Sequence, residues 1–519
     1  MRLFGQLLQA CLQEPKTLQK ISLLSDYFNE ELPENMPMAL HFLMGENLGR
    51  FCSGRQLREW AAQLLGLPDW LVDESYEALG DNSETISLLF PNKPSSLAHD
   101  LKAVCDRIKQ LKSESIDVKK NWIIDVWSKS SRDDIYTFNK LLGGGIRIGA
   151  SKKNVLKALS RTVHLDVDIL EQRLLGTWEP TEIAYDALVN PDDITGKGTR
   201  PYPFFLASPI QDVDATLMPF SDWQIEPKWD GIRAQLVHRQ EGTQLWSRGN
   251  DLISDQFPDI LDSASGLPYG VYDGEVLAWG DDGPQPFADL QKRLNRKKVT
   301  RQLLASIPCV MMLYDCLEFE GVDIRERALH ERCKKISGLR PPFYTSNSLT
   351  LNGVSALSDY VKNARNNRVE GVIIKRLSSA YKSGRVRGDW WKLKVDPLLL
   401  DVVIMYAQKG KGIRSGLFTD YTFGVWHKNQ LVPIGKAYSG LTNDEIKQVH
   451  QILNNHLTDR FGPVRGVSPC VVLEVAFDSI QESSRHKSGL ALRFPRINRL
   501  RLDKPVEEAN SLEDARALC

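Results

Sequence analysis

Lys228 is the residue of this sequence whose neighbours best suit covalent chemistry, and it lies in the stretch EPKWDGIR at residues 226–233. A free lysine amine has a pKa of about 10.4, so only about a thousandth of it is neutral near pH 7.5. A nucleophilic lysine therefore needs neighbouring cations that favour its neutral form. Arg233, Lys392, Lys394 and a bound divalent cation are candidates for that role. Taken alone, the stretch is also compatible with a lysine in a surface turn.

Further charged and aromatic residues follow Lys228 along the chain. Lys392 and Lys394 alternate along a predicted strand, so both side chains face one side and could bind one phosphate; a solvated strand edge is the alternative. The whole ordered set comprises Ser247-Arg248-Gly249, Asp273-Gly274-Glu275, Tyr314-Asp315, residues 370–375 (EGVIIK), residues 391–394 (WKLK), residues 493–496 (RFPR) and residues 501–504 (RLDK).

This ordered series resembles the nucleotidyltransferase motifs shared by ATP-dependent DNA ligases, RNA ligases and mRNA capping enzymes. Two segments make DNA ligases the closest match. LRFPRINRLRLDK is similar to their last motif, and GIRIGASKKNVLKALS is similar to part of their helical DNA-binding domain. The resemblance covers essentially the whole chain and implies that Lys228 attacks ATP and carries AMP.

The resemblance also implies roles for the carboxylates and for one aromatic residue. Glu370 helps to bind Mg²⁺, and Glu275 lies at the ribose and near the metal. Glu226 helps to place the adenine. Tyr314 occupies the position of an aromatic residue, commonly Phe, that stacks on adenine; without the other motifs, a tyrosine packed in the core is the simpler interpretation.

Basic residues complete the implied nucleotide site. Charged oxygens of the α-phosphate must be neutralised for in-line displacement, and Lys392 and Lys394 suit that task. One of Arg385 and Arg387 matches a further arginine near the nucleotide, and Arg387 is favoured. The remaining basic candidates are Arg233 at the ribose or phosphate, Arg248 near the nucleotide and then the 5′-phosphate of a nick, and Arg501 and Lys504 at the leaving pyrophosphate.

Three stretches of different pattern must position these residues. Helical spacing of apolar residues predicts an all-α region at residues 1–195, which the resemblance makes a DNA-binding domain. Short β-rich runs with intervening helices predict an α+β domain at residues 200–396, for which the resemblance implies ATP-grasp-like antiparallel sheets and adenylation. Alternating strands with one helix predict an OB-type β-barrel at residues 398–519.

The glycine-rich stretch LLGGGIRIGASKKN precedes a predicted helix. Free N–H groups at such a helix start could hold a phosphate. A turn between packed helices is the alternative interpretation.

Composition excludes several classes of protein. The formal net charge is +0, so bulk charge does not hold nucleic acid, although residues 375–394 and the stretch from Arg485 to Lys504 are locally basic. No apolar run is long enough for a membrane span. The eight cysteines form no CxxC pair, which favours scattered reduced thiols in the cytosol over a zinc site or disulfides.

We therefore expect an ATP- and Mg²⁺-dependent DNA ligase that seals 5′-phosphate/3′-OH nicks in duplex DNA, acting in repair, recombination or replication. We expect it to be monomeric, cytoplasmic and nucleoid-associated, with a repair nuclease or helicase as a candidate partner. The start of the chain almost directly in the helical region resembles accessory bacterial ligases. The alternatives are an RNA ligase or capping guanylyltransferase, a catalytically silent DNA-binding scaffold, and an NAD-dependent ligase, for which no Cys₄ zinc pattern is visible.

Overall fold

The computed structural model describes the chain except for residues 95–99, 144, 147, 177, 192–197, 211–212, 218, 295, 297, 352, 411–413, 415 and 484–485. Parts of three predictions lie outside the described residues. They are the phosphate-binding loop around residue 147, the domain boundary at residue 195 and the basic residue at position 485.

Two compact units make up the described chain. The first combines Met1–Lys152 with Asp396–Cys519, and the second is Lys153–Val395. The predicted division into three domains, with boundaries at 195/200 and 396/398, stays a prediction.

The N-terminal part of the first unit is helical, and no strand occurs among its described residues. Helix α1 buries Phe4, Leu7, Leu8 and Cys11, which share one face of the helix. This pattern confirms the predicted all-α region. The helices are α1 (Arg2–Gln13), α2 (Thr17–Glu30), α3 (Met36–Leu43), α4 (Gly54–Leu65), α5 (Asp69–Leu79), α6 (Asn82–Leu89), α7 (Leu101–Leu111), α8 (Ile116–Lys129) and α9 (Arg132–Gly143).

The second unit contains short helices around two sheets. Its helices are α10 (Lys152–Val163), α11 (Val167–Arg173), α12 (Glu182–Val189), α13 (Val213–Thr216), α14 (Pro258–Ser263), α15 (Phe287–Gln291), α16 (Arg301–Ser306), α17 (Leu329–Cys333) and α18 (Val354–Lys362). Its strands are β1 (Ser208–Pro209), β2 (Trp223–Trp229), β3 (Ile232–Arg239), β4 (Gly242–Ser247), β5 (Gly270–Gly280), β6 (Gly283–Pro284), β7 (Cys309–Phe319), β8 (Val322–Asp323), β9 (Phe343–Thr345), β10 (Val369–Arg376) and β11 (Trp390–Lys394).

The two sheets of the second unit are mostly antiparallel, as predicted. The smaller sheet has the order β1-β11-β10-β2, and the larger sheet has the order β4-β3-β5-β7-β8, with β6 on β5 and β9 on β7. Only β1 with β11 and β7 with β9 pair in parallel among the described strands. An apolar cluster that includes Tyr272 and Met311 packs under the larger sheet, and another that includes Ile225 and Ile374 packs under the smaller.

A tight turn joins the two sheets. Strand β2 ends at Trp229 in the smaller sheet, and β3 begins at Ile232 in the larger one. A Cβ atom on Gly231 would lie 2.3 Å from the carbonyl oxygen of Val276 on β5. Glycine is therefore the residue that lets this turn approach the larger sheet, and it leaves Lys228 at the junction of the two sheets.

The C-terminal part of the first unit is β-rich. Its elements are β12 (Leu398–Lys409), β13 (Phe418–His427), β14 (Gln430–Ala437), α19 (Asn443–Asn454), β15 (Leu457–Phe461), β16 (Val464–Val467), β17 (Val472–Phe477), β18 (Ser479–Glu482), β19 (Leu490–Arg493), β20 (Arg496–Arg501) and α20 (Leu512–Arg516). The long strand β12 pairs with β13 on one side and with β16 and β17 on the other. Helix α19 buries Ile446, Val449 and Leu453. These strands with their one long helix confirm the predicted β-rich domain.

The longest described helices, α2 and α8, have 14 residues each. Among the described residues, none is long and apolar enough to cross a membrane.

Candidate active site

A cavity of roughly 140 Å³ lies in the second unit where the smaller and larger sheets meet. Its wall combines charged side chains with aromatic rings, a lining suited to a ligand that has both phosphates and a base. The lining residues with charged or aromatic side chains are Glu226, Lys228, Trp229, Arg233, Arg248, Glu275, Tyr314, Lys375, Arg385, Trp390 and Lys392.

Lys228 contacts a carboxylate within this site. Its Nζ atom donates a hydrogen bond of 2.5 Å to Glu370 Oε2, and Lys394 Nζ lies 3.1 Å from the same oxygen. Burial by itself would raise the pKa of Glu370, but the two ammonium groups lower it. Glu370 is therefore an ionised carboxylate that holds two lysines together.

Glu370 meets Lys228 where its own strand is locally irregular. The pairing of β10 with β2 shifts register between Val369 and Val372. Within that bulge, Gly371 has a φ of +135°, and a Cβ atom there would lie 2.2 Å from the carbonyl oxygen of Leu393. A bulge of this kind re-aims the side chain beside it, here Glu370.

Glu275 and Arg233 face each other across strands β5 and β3, at directly paired positions. Burial raises the pKa of Glu275 to about 8, although Lys228 and Arg233 act to lower it and Glu370 acts to raise it further. No hydrogen bond or ion pair joins the Glu275 carboxylate to another described residue. A buried carboxylate of this kind, with a second carboxylate nearby, is suited to a cation.

Glu226 forms a buried ion pair with Lys375. The lysine Nζ atom lies 3.0 and 3.1 Å from the two oxygens of Glu226, and only 1% and 2% of the two side chains are exposed. Gln224 Nε2 donates a further hydrogen bond of 2.6 Å to Glu226. The Lys375 ammonium also lies 4.3 Å from the ring centroid of Tyr314. This group forms the end of the cavity that offers a carboxylate and an aromatic face.

Lys392 lies among other cations. Burial lowers its pKa, and Arg385, Lys394, Lys228 and Arg248 lower it further. Register places Lys392 and Glu226 on either side of Ile373 in the smaller sheet. The structure thus brings together the cations on which the sequence analysis based its phosphate site.

The arginine between β10 and β11 that reaches the cavity is Arg385. The guanidinium of Arg387 lies instead 5.8 Å from the ring centroid of Trp391. The preference for Arg387 in the sequence analysis stays a prediction, although Arg385 is the one of the two that lines the cavity.

Arg501 and Lys504 belong to the other unit and share one carboxylate there. Arg501 Nη1 lies 3.1 Å from Asp401 Oδ2, and Lys504 Nζ lies 2.8 Å from the same oxygen. Asp503 also binds the Arg501 guanidinium, at 2.9 Å. The two basic residues are thus neighbours, as the motif predicts.

Three family models cover most of the chain. They are the ATP dependent DNA ligase domain at residues 204–394, the ATP dependent DNA ligase C terminal region at residues 414–504 and the DNA ligase N terminus at residues 1–160. The chain belongs to the ATP-dependent DNA ligases. It is an enzyme of that family, and its three matched regions occur in the order that the sequence motifs predicted.

Two curated relatives and one solved structure agree with this assignment. The chain is 29% identical to a probable DNA ligase of Koribacter versatilis, over 99% of this chain and 96% of that protein. It is 39% identical to a probable DNA ligase of Opitutus terrae, over 57% of this chain and 32% of that protein. A structure named Pmar-Lig_PreS3 has the same fold, with a TM-score of 0.60 and 15% identity over 96% of this chain and 99% of that one.

The ligase family uses ATP, and Mg²⁺ is its usual metal. No group of three or more His, Cys, Asp or Glu side chains that could hold a metal occurs in the part of the chain that the structure describes. Mg²⁺ commonly uses one or two carboxylates and completes its shell with water and substrate phosphates. Glu275 and Glu370 supply that number of hard oxygen donors, so the site fits the ion.

Several residues of this ligase site were missed in the sequence analysis. Lys375 was quoted within EGVIIK and Asp273 within DGE, but neither was given a role. Both are buried and bind residues of the cavity wall, Glu226 and Arg233 respectively. Their apolar flanks were a signal, since a charged residue buried in a strand needs a partner. Identifying the partner requires the sheet register.

Proposed function

We propose that this ligase seals nicks in duplex DNA through a covalent lysyl-AMP at Lys228. The main support is the position of the Lys228 amine, which lies in the cavity against Glu370 and near Arg233, Lys392 and Arg248. The proposal combines the chemistry of these residues with the membership of the family. The residue roles described below are proposals on the same footing.

In the first step, the neutral amine of Lys228 attacks the α-phosphorus of ATP. A nitrogen–phosphorus bond forms, the nitrogen releases its extra proton to solvent, the bond to the β-phosphate oxygen breaks, and pyrophosphate leaves. Lys392, Lys394 and Arg385 balance the charge that develops on the α-phosphate oxygens. Glu275 and Glu370 would hold Mg²⁺, which would supply further charge neutralisation at the phosphates.

The base and the sugar of ATP are held by the rest of the wall. Glu226, which Lys375 and Gln224 fix in place, accepts a hydrogen bond from the exocyclic amine of adenine. Tyr314 offers its ring for stacking on the base. Arg233 contacts the ribose or a phosphate. Guanine carries an oxygen where adenine carries the amine, so the Glu226 carboxylate would repel it.

In the second step, the 5′-phosphate of the nick attacks the phosphorus of lysyl-AMP, and Lys228 is released. In the third step, the 3′-OH attacks the 5′-phosphate, a phosphodiester bond forms, and AMP leaves. Arg248 binds the 5′-phosphate during these steps. Arg501 and Lys504 act earlier, on the leaving pyrophosphate.

This mechanism can be tested by following labelled AMP from ATP to the protein and then to DNA. Incubation with α-labelled ATP and Mg²⁺ should label a 58.7 kDa band, and nicked duplex DNA should remove the label. Lys228→Ala should abolish labelling but still seal a nick that already carries AMP, because the third step needs no lysine nucleophile. Labelling of Lys228→Ala would contradict the proposal. Discharge only by nicked RNA would indicate an RNA ligase.

We further infer that the enzyme is a cytoplasmic monomer that associates with the nucleoid. We also infer that it acts in DNA repair, recombination or replication. A repair nuclease or helicase is the kind of partner that would supply nicks. The absence of CxxC pairs supports a reducing compartment. Light scattering with nicked DNA tests the monomer, and the sensitivity of a deletion strain to DNA damage tests the pathway.

A further inference from the structure

A row of fully buried polar residues crosses the larger sheet beneath the cavity. Gln235 on β3 pairs in register with Asp273 on β5, which in turn pairs with Asp315 on β7. All three are 0% exposed. Burying a carboxylate costs free energy unless the carboxylate is paired and hydrogen-bonded. The partners of these residues therefore indicate their role.

Asp273 is the member of the row that holds a residue of the cavity wall. Its Oδ2 atom accepts a hydrogen bond of 2.8 Å from Arg233 Nη2, and its Oδ1 lies 3.3 Å from Arg233 Nε. This two-point pairing fixes the plane of the guanidinium. The rings of Phe204, Tyr314 and Trp390 lie 5.3 to 5.8 Å from that guanidinium. Asp273 therefore decides where Arg233 points.

The hydroxyl of Tyr381 is bound to the same carboxylate oxygen. It donates a hydrogen bond of 2.6 Å to Asp273 Oδ2 and accepts one of 3.2 Å from the backbone N–H of Phe205. Gln235 Nε2 and Arg233 Nη2 each lie 3.4 Å from it. Burial first, and then the Asp273 charge, raise the pKa of Tyr381, so the hydroxyl keeps the proton that it donates.

Tyr381 also begins the segment that carries Arg385 to the cavity. Three residues later, Gly384 exchanges backbone hydrogen bonds with the stretch next to Phe205: Leu206 N donates to Gly384 O at 2.7 Å, and Gly384 N donates to Phe204 O at 3.0 Å. The segment is thus held by this backbone pairing, by the Tyr381 N–H, which donates to Arg325 O at 2.8 Å, and by the Tyr381 hydroxyl.

We propose that Tyr381 is a positioning residue of the nucleotide site, acting through Asp273 on Arg233 and through its own segment on Arg385. This inference rests on the proposed function, in which both arginines contact ATP. Tyr381 lies below the wall and acts on residues that would touch the nucleotide. Loss of its hydroxyl leaves Asp273 with one donor fewer and frees Arg233 to turn.

The test is Tyr381→Phe, which keeps the ring contacts with Phe205 and Trp390 and removes only the hydroxyl. The matched control is Tyr272→Phe, a fully buried tyrosine of β5 whose hydroxyl donates to the Pro268 carbonyl at 2.7 Å. We expect the KM for ATP in Lys228 labelling to rise about tenfold in Tyr381→Phe, the usual size for a lost hydrogen bond to a charged group. Tyr272→Phe should keep the wild-type KM.

A double-mutant cycle with Arg233→Lys separates positioning from a general effect on stability. Because Tyr381 acts on Arg233 as well as on Arg385, Tyr381→Phe should raise the KM of Arg233→Lys by clearly less than the tenfold expected in the wild-type background. A full tenfold change in that background, or a Tyr381→Phe enzyme that matches Tyr272→Phe in KM, would overturn the inference. A wild-type enzyme that takes no label would instead contradict the proposed function. If Tyr381→Phe lowers Tm more than the control does, the double-mutant cycle still distinguishes positioning of Arg233 from a general loss of stability.

Discussion

Glu370 binds two lysines at one oxygen, and each of those lysines has a different proposed task. Lys228 is the nucleophile, and Lys394 is a phosphate ligand. A carboxylate between two ammonium groups keeps them next to each other despite their mutual repulsion. Glu370 therefore belongs to the same site as Lys228 and Lys394.

Glu370→Gln should therefore slow the labelling of Lys228 by ATP by at least about a hundredfold, the size typical for loss of a fixed charge at a reacting phosphate. Rapid-quench measurement of lysyl-AMP formation checks this. Glu59→Gln is the control, because Glu59 forms an exposed i,i+4 pair with Arg55, which contributes little. Equal rates for the two variants would contradict the role of Glu370.

The buried ion pair of Lys375 and Glu226 leads to a prediction about the free energy of unfolding. Removing one partner of a buried ion pair leaves the other charge without compensation and costs about 3–5 kcal/mol. Lys375→Met should lower the free energy of unfolding by that amount, as measured by urea denaturation. The double variant Lys375→Met/Glu226→Gln should recover part of the loss, since no orphaned carboxylate remains. A double variant less stable than Lys375→Met would refute this explanation.

At the residue scale, the sequence identified Lys228 and its carboxylates because their motifs are short and contiguous. It missed Lys375 and Tyr381, since their partners are 149 and 108 positions away in the chain. Such contacts depend on which strands pair and in which register. Spacing alone does not define the path of the loop that carries Arg385 and Arg387, so the choice between them stays a prediction.

The turn between β2 and β3 is the element on which the site depends most. It carries the chain from one sheet to the other immediately after Lys228. Gly231→Ala should force the turn away from β5, because the new methyl would lie 2.3 Å from the Val276 carbonyl oxygen.

We expect this strain to destabilise the protein by about 1–3 kcal/mol and to displace Lys228, so labelling should fall as well. Thermal unfolding and labelling are the measurements. Gly266→Ala, in the same unit, is the control, since nothing lies within 4 Å of the point that its new methyl group would occupy. A Gly231→Ala enzyme as stable and as active as Gly266→Ala would show that the turn has room to relax.

Element types were predicted well where periodicity was long. The apolar spacing of LFGQLLQACLQ matches α1, and the run CVMMLYDCLEF is β7. Residues 224–238 have the composition of one continuous β-rich segment, but they form two strands in different sheets. Alternation predicts that a segment is extended and does not say which sheet it joins.

At the scale of the whole molecule, the three steps of the proposed reaction let each part of the chain be tested separately. Arg501 and Lys504 share the Asp401 carboxylate, which lies on the first C-terminal strand, β12. Two like charges beside each other need such an anion to stay together. Their proposed task, at pyrophosphate, belongs to the first step alone.

Asp401→Asn should therefore slow lysyl-AMP formation about tenfold, as expected for weakened hydrogen bonds to charged groups, and leave the sealing of a pre-adenylated nick unchanged. The control is Asp420→Asn, which removes another carboxylate of the same region, paired with Lys436 at 3.2 Å. Faster adenylation, or an equal loss in both assays, would contradict the prediction.

The fold class of the whole chain was predictable because the three regions differ in sequence pattern. The first has helical spacing of apolar residues, the second has mixed elements, and the third has alternating strands. The positions of the boundaries between the compact units were not predictable from these patterns. Helix α10 begins at Lys152, yet the following residues group with the second unit and not with the preceding helices. Grouping of this kind depends on contacts between distant segments, which composition does not record.

The cavity carries two indole rings, and this gives the enzyme an optical signal of its own. Trp229 directly follows Lys228, the proposed nucleophile, and Trp390 forms part of the wall. The emission of tryptophan responds to nearby charge and to stacked bases, so the arrival of AMP should alter the intrinsic fluorescence. Stopped-flow mixing could then follow the loading and discharge of the unlabelled enzyme in real time, with Trp229→Phe and Trp390→Phe identifying which ring reports.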